Sequence, residues 1–161
     1  ICFVKDNDYA NYVKRHANQD IKEGNFVDTK GNILGRHKGI VFYTIGQRKG
    51  LGIAFGKPMF VLDINPETNE VILGSNDDLF SNELIAKDVN LITVDEITEP
   101  IRVEAKIRYS ARPAAATVDN NGKDSIRIVF DEPQRAITKG QSVVMYQGDK
   151  VVGGGIIDKS L

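Results

Sequence analysis

A single cysteine, Cys2, is all the thiol chemistry this chain carries. One cysteine cannot staple anything within the chain, so the expected compartment is reducing, that is cytoplasmic. Histidine is nearly as scarce. His16 and His37 are the only two, and with one cysteine they provide no ligand pair at metal-site spacing. No apolar run approaches the ~20 residues that a membrane helix needs, and no basic segment followed by an apolar stretch opens the chain as a secretory signal would. The opening Ile1-Cys2-Phe3-Val4 has no initiator Met and reads as the interior of a longer protein. Internal repeats and low-complexity tracts are also missing. Nucleotide loops fail on spacing: the glycines from Gly50 to Gly56 miss the dinucleotide pattern by one residue. Gly56-Lys57 is followed by Pro58, where a phosphate loop requires Ser or Thr.

What is present is ordinary folded protein. The 161 residues are 41% hydrophobic and 27% charged, enough for one domain or two small ones. A net charge of -1 conceals alternation along the chain. Residues 29–62 hold six bases (Lys30, Arg36, Lys38, Arg48, Lys49, Lys57) and no acid, whereas residues 63–104 hold eleven acids against Lys87 and Arg102. Nine bases face six acids from residue 105 to the end. Such alternation suggests one cationic surface, and an acid-free cationic segment suits contact with a phosphate backbone. The plainer reading is a charge cluster offset by the acidic block in the fold.

Asp6-Asn7-Asp8 offers helix-capping acceptors, and Tyr9, Tyr12, Val13 and His16 then share one helical face, predicting one short N-terminal helix. The rest reads as strands. Residues 25–28 and 33–37 form a hairpin about Thr29-Lys30-Gly31-Asn32, residues 40–45 form a buried strand, and residues 59–64 and 70–74 flank a turn at residues 65–69. Leu79-Phe80-Ser81-Asn82 reads as a linker, giving a β-rich domain over 1–78 and a second domain over 79–161. Strands are expected there at 84–94, 101–109, 114–118, 125–130, 141–147 and 151–157, with turns at Asn120-Asn121-Gly122, Asp131-Glu132-Pro133 and Gln147-Gly148-Asp149. Six or so short strands at this spacing predict a closed or nearly closed antiparallel barrel. Gly153-Gly154-Gly155 predicts a bulge or a close backbone approach in the last strand.

The segment most suited to a partner is Tyr43-Thr44-Ile45-Gly46-Gln47-Arg48-Lys49-Gly50-Leu51-Gly52-Ile53. Its glycines permit close backbone approach, and Gln47, Arg48 and Lys49 supply donors inside that frame. A glycine-rich hairpin with a solvated charged tip is the bland alternative. In the second half, Arg108-Tyr109 with Arg112 pairs guanidinium and aromatic ring, which grips phosphate and stacks on unpaired bases. Gln141 offers donor and acceptor to a base edge, although strand-end polar residues need no such role. Cys2 is filler or a working thiol. His16 suits a helix C-terminus, and His37, between Arg36 and Lys38, is expected on the cationic surface rather than as a base.

Cys2-Phe3 after Ile1, the Gly35-His37-Gly39 step, the string from Tyr43 to Gly52, Arg108-Tyr109, Phe130-Asp131-Glu132-Pro133, Gly140-Gln141 and Gly153-Gly154-Gly155-Ile156-Ile157 together resemble the tRNA-specific 2-thiouridylase (MnmA) family. The similarity runs in order from the first residue nearly to the last. It implies a small β-rich central domain followed by a C-terminal β-barrel, with the family's ATP-pyrophosphatase domain, its ATP and Mg2+ site and its first catalytic cysteine lying outside this sequence. Cys2 matches the family's second catalytic cysteine, which carries the persulfide sulfur delivered to tRNA. Arg108, Tyr109 and Gln141 match positions through which the family's barrel contacts tRNA. Lys5 and Lys139 depart from the common Gly and Pro.

The resemblance implies an ATP-dependent tRNA sulfurtransferase making 2-thiouridine at the wobble position. Its partners would be the anticodon stem-loop of a tRNA with a wobble uridine and a sulfur-relay donor protein, with no membrane involved. Uridine C2 is a poor electrophile until its oxygen is adenylated, and the outer sulfur of a persulfide is a nucleophile suited to attack it. This fragment would be inactive alone. The alternative from another class is a non-catalytic RNA- or protein-binding β-barrel module with an incidental Cys2. A tRNA methyltransferase is weaker, since nothing resembles a methyl-donor pocket.

Overall fold

A computed structural model describes residues 21–161. Cys2 and the helix expected over residues 9–16 lie outside the described residues. The chain divides between Leu79 and Phe80 into two compact units.

The first unit is built on four strands, β1 (Gly24–Asp28), β2 (Ile33–His37), β3 (Phe60–Asn65) and β4 (Glu70–Gly74), in the order β2-β1-β4-β3. Side-chain oxygens set both hairpins. Asp28 Oδ1 accepts from the N–H groups of Lys30 and Asn32, and Gly31 takes a left-handed φ of 83°. Asn65 Oδ1 accepts from the N–H groups of Glu67 and Thr68. The inner pair β1 and β4 is parallel, so the chain between them must cross over, carrying β2, the basic segment and β3 with it. Phe26, Val61, Val71 and Leu73 form the sealed centre of this unit.

Residues 40–45 do not form the expected strand. Ile40–Phe42 is one 3-10 turn, closed by Phe42 N–H to the Gly39 carbonyl at 3.2 Å and Tyr43 N–H to the Ile40 carbonyl at 3.1 Å. The run is also only partly buried: Ile40 and Phe42 pack against the core and Tyr43 joins it, while Val41 and Thr44 are exposed.

The second unit is a closed barrel. Its strands are β5 (Phe80–Leu91), β6 (Ile101–Lys106), β7 (Ala114–Asn120), β8 (Ser125–Arg135), β9 (Ser142–Gln147) and β10 (Lys150–Ser160), arranged β10-β5-β8-β7-β6-β9 with every neighbour antiparallel. Six strands leave no room for a lumen, and the inward residues interlock small against large: Ala116 lies opposite Phe130, and Ala105 opposite Met145. The six-stranded antiparallel barrel is the one expected. Gly153–Gly155 carries the expected irregularity, with register shifts on both sides of β10. A Cβ would fall 2.5 Å from the Asn90 carbonyl oxygen at Gly153 and 2.6 Å from that of Val143 at Gly154.

Two expectations for this unit fail. The linker read at residues 79–82 is the start of β5, since Phe80 already pairs with Arg135. The turn read at Asp131-Glu132-Pro133 lies inside β8. Ser81 pairs with Gln134 and Glu83 with Val129, so β8 bulges outward there. A bulge is where a strand tolerates proline, because no ladder N–H is demanded.

Candidate nucleic-acid interface

The glycine-framed segment is held at three buried side chains, Tyr43, Leu51 and Met59, which join the first unit's core. The Tyr43 ring stands edge-on to Phe26 with centroids 5.1 Å apart and to His37 at 5.5 Å. His37 is therefore not part of a cationic surface. It is 3% exposed, its Nδ1 accepts from the Gly39 N–H at 3.0 Å, and its Nε2 lies 3.2 Å from the Asn69 carbonyl oxygen. Those partners place the proton on Nε2, and burial pushes the imidazole pKa below its ordinary 6.5. A neutral histidine at the foot of the loop holds the Gly39 turn and the β3–β4 turn together.

From Tyr43 the chain turns back on itself. Gly46 N–H donates to the Val61 carbonyl at 2.7 Å, and Val61 N–H returns to the Gln47 carbonyl at 2.9 Å. Gln47, expected to meet RNA, has both ends of its amide engaged within the loop: Oε1 accepts from Thr44 N–H at 3.0 Å and Nε2 donates to the Lys49 carbonyl at 2.9 Å. Its geometry is that of a clip which fixes the backbone carrying Arg48 and Lys49. Those two side chains are exposed and make no ion pair among the described residues. Beside them an open depression of about 390 Å³ is lined by Arg48 and Lys57 and floored by Leu51, Phe55, Pro58 and Met59. Lys57 was not singled out by motif; its place in the acid-free stretch was the available signal.

The barrel carries the remaining expected residues. Because successive strands are antiparallel, the β6–β7 and β8–β9 connections fall at one end and the other three at the opposite end. The pairing of Lys106 with Val144 places the turn after β6 beside the residues that precede β9, bringing Arg108 and Tyr109 to the same end as Gln141. Ile107 is buried and anchors that turn, and Ala111 N–H closes it onto the Arg108 carbonyl at 3.1 Å. Tyr109 is then left 98% exposed, with Lys106 Nζ 5.9 Å from its ring centroid. An aromatic ring standing in water without a packing role is unusual, and neighbouring cations fit it for stacking. Gln141 is fixed through its backbone: Gly140 N–H donates to the Ile157 carbonyl and Ile157 N–H to the Gln141 carbonyl, both at 2.8 Å. Its side chain is left exposed.

The two ends differ in charge. The connections holding Arg108, Arg112 and Lys139 contain no acid, while those at the other end hold Asp95, Glu96, Glu99, Asp124 and Asp149 against Lys123. Two of the acids near the basic end are committed. Asp158 pairs with Lys87 at 2.8 Å, and Asp131 meets Arg102 through both oxygens at 2.8 and 2.6 Å. Lys87 holds the Asp158 carboxyl below the usual carboxylate range, and Arg102 does the same for Asp131. Cys2, the expected catalytic residue, lies outside the described residues.

Residues 10–75 match the tRNA methyl transferase PRC-barrel domain family and residues 81–157 the aminomethyltransferase beta-barrel domain family. The whole chain is 73% identical to the tRNA-specific 2-thiouridylase MnmA of Clostridioides difficile (strain 630), covering 45% of that protein. It is 60% identical over 99% of its length to tRNA-specific 2-thiouridylase MnmA 1 of Clostridium botulinum (strain Loch Maree / Type A3), again covering 45%. With the MnmA of Clostridium kluyveri the identity is 56% over 98% of the chain, covering 44% of the relative. The chain thus spans less than half the length of the curated relatives it matches.

Proposed function

We propose, from the premise that this chain belongs to the tRNA-specific 2-thiouridylase family, that it is the tRNA-gripping part of an ATP-dependent sulfurtransferase and supplies the sulfur-carrying cysteine. The observation that carries the reading is the pair of acid-free connections at one end of the barrel, where Tyr109 stands 98% exposed between Arg108 and Arg112. Guanidinium groups there hold phosphates, the ring stacks on an unpaired base, and Gln141 reaches the same strand from the neighbouring connection. Such contacts fix the register of the RNA and leave the identity of the base to be read elsewhere.

ATP and Mg2+ do not fit the residues present. The glycine segment lacks the spacing of a phosphate loop, and no described group of His, Cys, Asp or Glu is arranged to hold a metal ion. Activation of uridine at O2 belongs to the part of the relatives' length beyond this chain. Within this chain the chemical group is the Cys2 sulfur: as a persulfide its outer sulfur would bond to C2 as the activated oxygen leaves with AMP. A second thiol, the family's first catalytic cysteine outside this sequence, would then attack the Cys2 sulfur, breaking the S–S bond to free the thiocarbonyl and leaving a disulfide with Cys2. The base must leave its stack to be reached, and the contacts of the barrel and of the Arg48–Lys49 loop offset the cost of extruding it. A sulfur-relay protein reloads Cys2. No helix among the described residues is long and apolar enough to cross a membrane.

The test uses the full-length parent protein. Replacing Cys2 by Ser is expected to abolish 2-thiouridine formation while leaving tRNA retention on filters unchanged; thiolation that persists in C2S removes Cys2 from the chemistry. Wild-type retention is expected to fall steeply with salt, and a flat response is incompatible with a phosphate grip.

A further inference from the structure

The depression beside the basic loop has features that a charged loop tip does not require. Its rim cations, Arg48 and Lys57, make no salt bridge among the described residues. Asp78, which feels the charge of Lys57, is committed through Oδ2 to the Ser75 N–H and hydroxyl at 2.7 Å. From residue 48 to residue 59 no backbone N–H donates to a described acceptor. Gly50, Gly52 and Gly56 hold left-handed φ angles of 76°, 79° and 69° along this run, and a Cβ at Gly52 or Gly56 would meet nothing within 4 Å. A run of uncommitted amides with left-handed glycines makes a concavity suited to anions. The floor is apolar, formed by Leu51 and Met59 with Phe55, and Phe55 is itself braced edge-on by Phe26 at 6.2 Å. Of these glycines Gly56 lines the depression, and cations at its rim with hydrocarbon beneath match the phosphate and the base of a nucleotide. The volume of about 390 Å³ falls among small-ligand sites, which run from ~300 to 1,000 Å³.

We propose that this depression is a subsite for a single unstacked nucleotide of the bound RNA, with its phosphate between Arg48 and Lys57 and its sugar and base against Leu51, Phe55 and Met59. The inference rests on the RNA-binding reading and adds to it a second, separate grip in the first unit. Gln47 serves it as a positioning residue by fixing the backbone of Arg48 and Lys49.

The experiment is an NMR titration of the isotopically labelled protein with uridine 5′-monophosphate, with uridine and with inorganic phosphate in separate arms. The mononucleotide is expected to shift the methyl signals of Leu51, Ile53 and Met59 together with the amides of Gly52 and Gly56. Inorganic phosphate should move the glycine amides alone, and uridine should bind more weakly than its phosphate. R48E and K57E, both at exposed positions, should each weaken mononucleotide binding about tenfold while leaving barrel signals in place. Shifts that miss this loop, or wild-type affinity in both variants, overturn the proposal. Filter binding of tRNA, run in parallel, separates the two levels. Steep salt-dependent retention with silent Leu51, Ile53 and Met59 methyls overturns the subsite and leaves the RNA-binding reading standing, whereas no retention at any salt overturns both.

Discussion

His37 sits in the sequence between two cations, and flanking charge alone places it on the surface. What the local pattern omits is the packing partner: Arg36 is exposed, while His37 beside it is buried against Phe26 and Tyr43. The inward ring is neutral and its pKa is lowered by burial. The unfolded chain therefore takes up the proton first as pH falls. The stability that depends on neutral His37 is complete above about 6.5 and declines as pH drops from there through the lowered folded value. Thermal melts of the first unit should show this loss, and His37→Ala should remove the pH-dependent component. The same substitution strands the Gly39 N–H and the Asn69 carbonyl, a cost of about 1–3 kcal/mol by denaturant titration. Gln47 teaches the same lesson. Its place between glycines and cations suggests an RNA contact, and in the structure its amide is bonded to Thr44 and Lys49. A glutamine that closes a turn and one that reads a base are identical until the partners are known.

Elements were legible where local chemistry alone decides them. Asp28 and Asn65 fix their turns with their own side chains, and both hairpins fall where they were expected. Strand ends were less legible. The Pro133 signal was real but marks a bulge in β8, because whether a kink ends a strand depends on the partner opposite, here β5. The parallel pairing of β1 with β4 has no local signal at all. Glycines divide by the same logic. At Gly153 the added Cβ would meet the Asn90 carbonyl oxygen at 2.5 Å and Leu91 Cα at 3.0 Å, so backbone must move. At Gly52 the space is open and only the φ of 79° resists a side chain. Gly153→Ala is thus expected to destabilise the barrel by about 1–3 kcal/mol, while Gly52→Ala costs about 1–2 kcal/mol through the left-handed backbone and falls on the first unit alone. Equilibrium unfolding followed separately in each unit checks both. Equal losses at the two sites, or a loss in the wrong unit, contradict the assignment of cause.

At the scale of the molecule, the alternation of charge along the chain becomes spatial in the barrel, where antiparallel order sorts basic connections to one end and acidic ones to the other. Charge counts showed that bases and acids were segregated. Only strand order shows which segments share an end, which is why Arg108, Tyr109 and Gln141, some 30 residues apart, were recognisable singly but not as one surface. Opposite poles give a test with an internal control. If RNA lies on the basic end, Arg108→Ala and Arg112→Ala should each weaken tRNA retention across sequences and lower the slope of log affinity against log salt by about 1. Tyr109→Ala removes stacking and not charge, so it should weaken binding by about 1–3 kcal/mol with the slope unchanged. Asp95→Lys and Glu96→Lys add two cations to the protein but place them at the far pole. That change shifts the net charge by +4, against -2 for the two arginine substitutions, so a protein that attracts tRNA only through its total charge binds more tightly by about twice what the arginine changes cost. One that docks through a defined end shows little response. Filter titrations over a range of salt distinguish these outcomes, and a gain from the acidic pole as large as the loss from the basic one, or larger, would refute a directional grip.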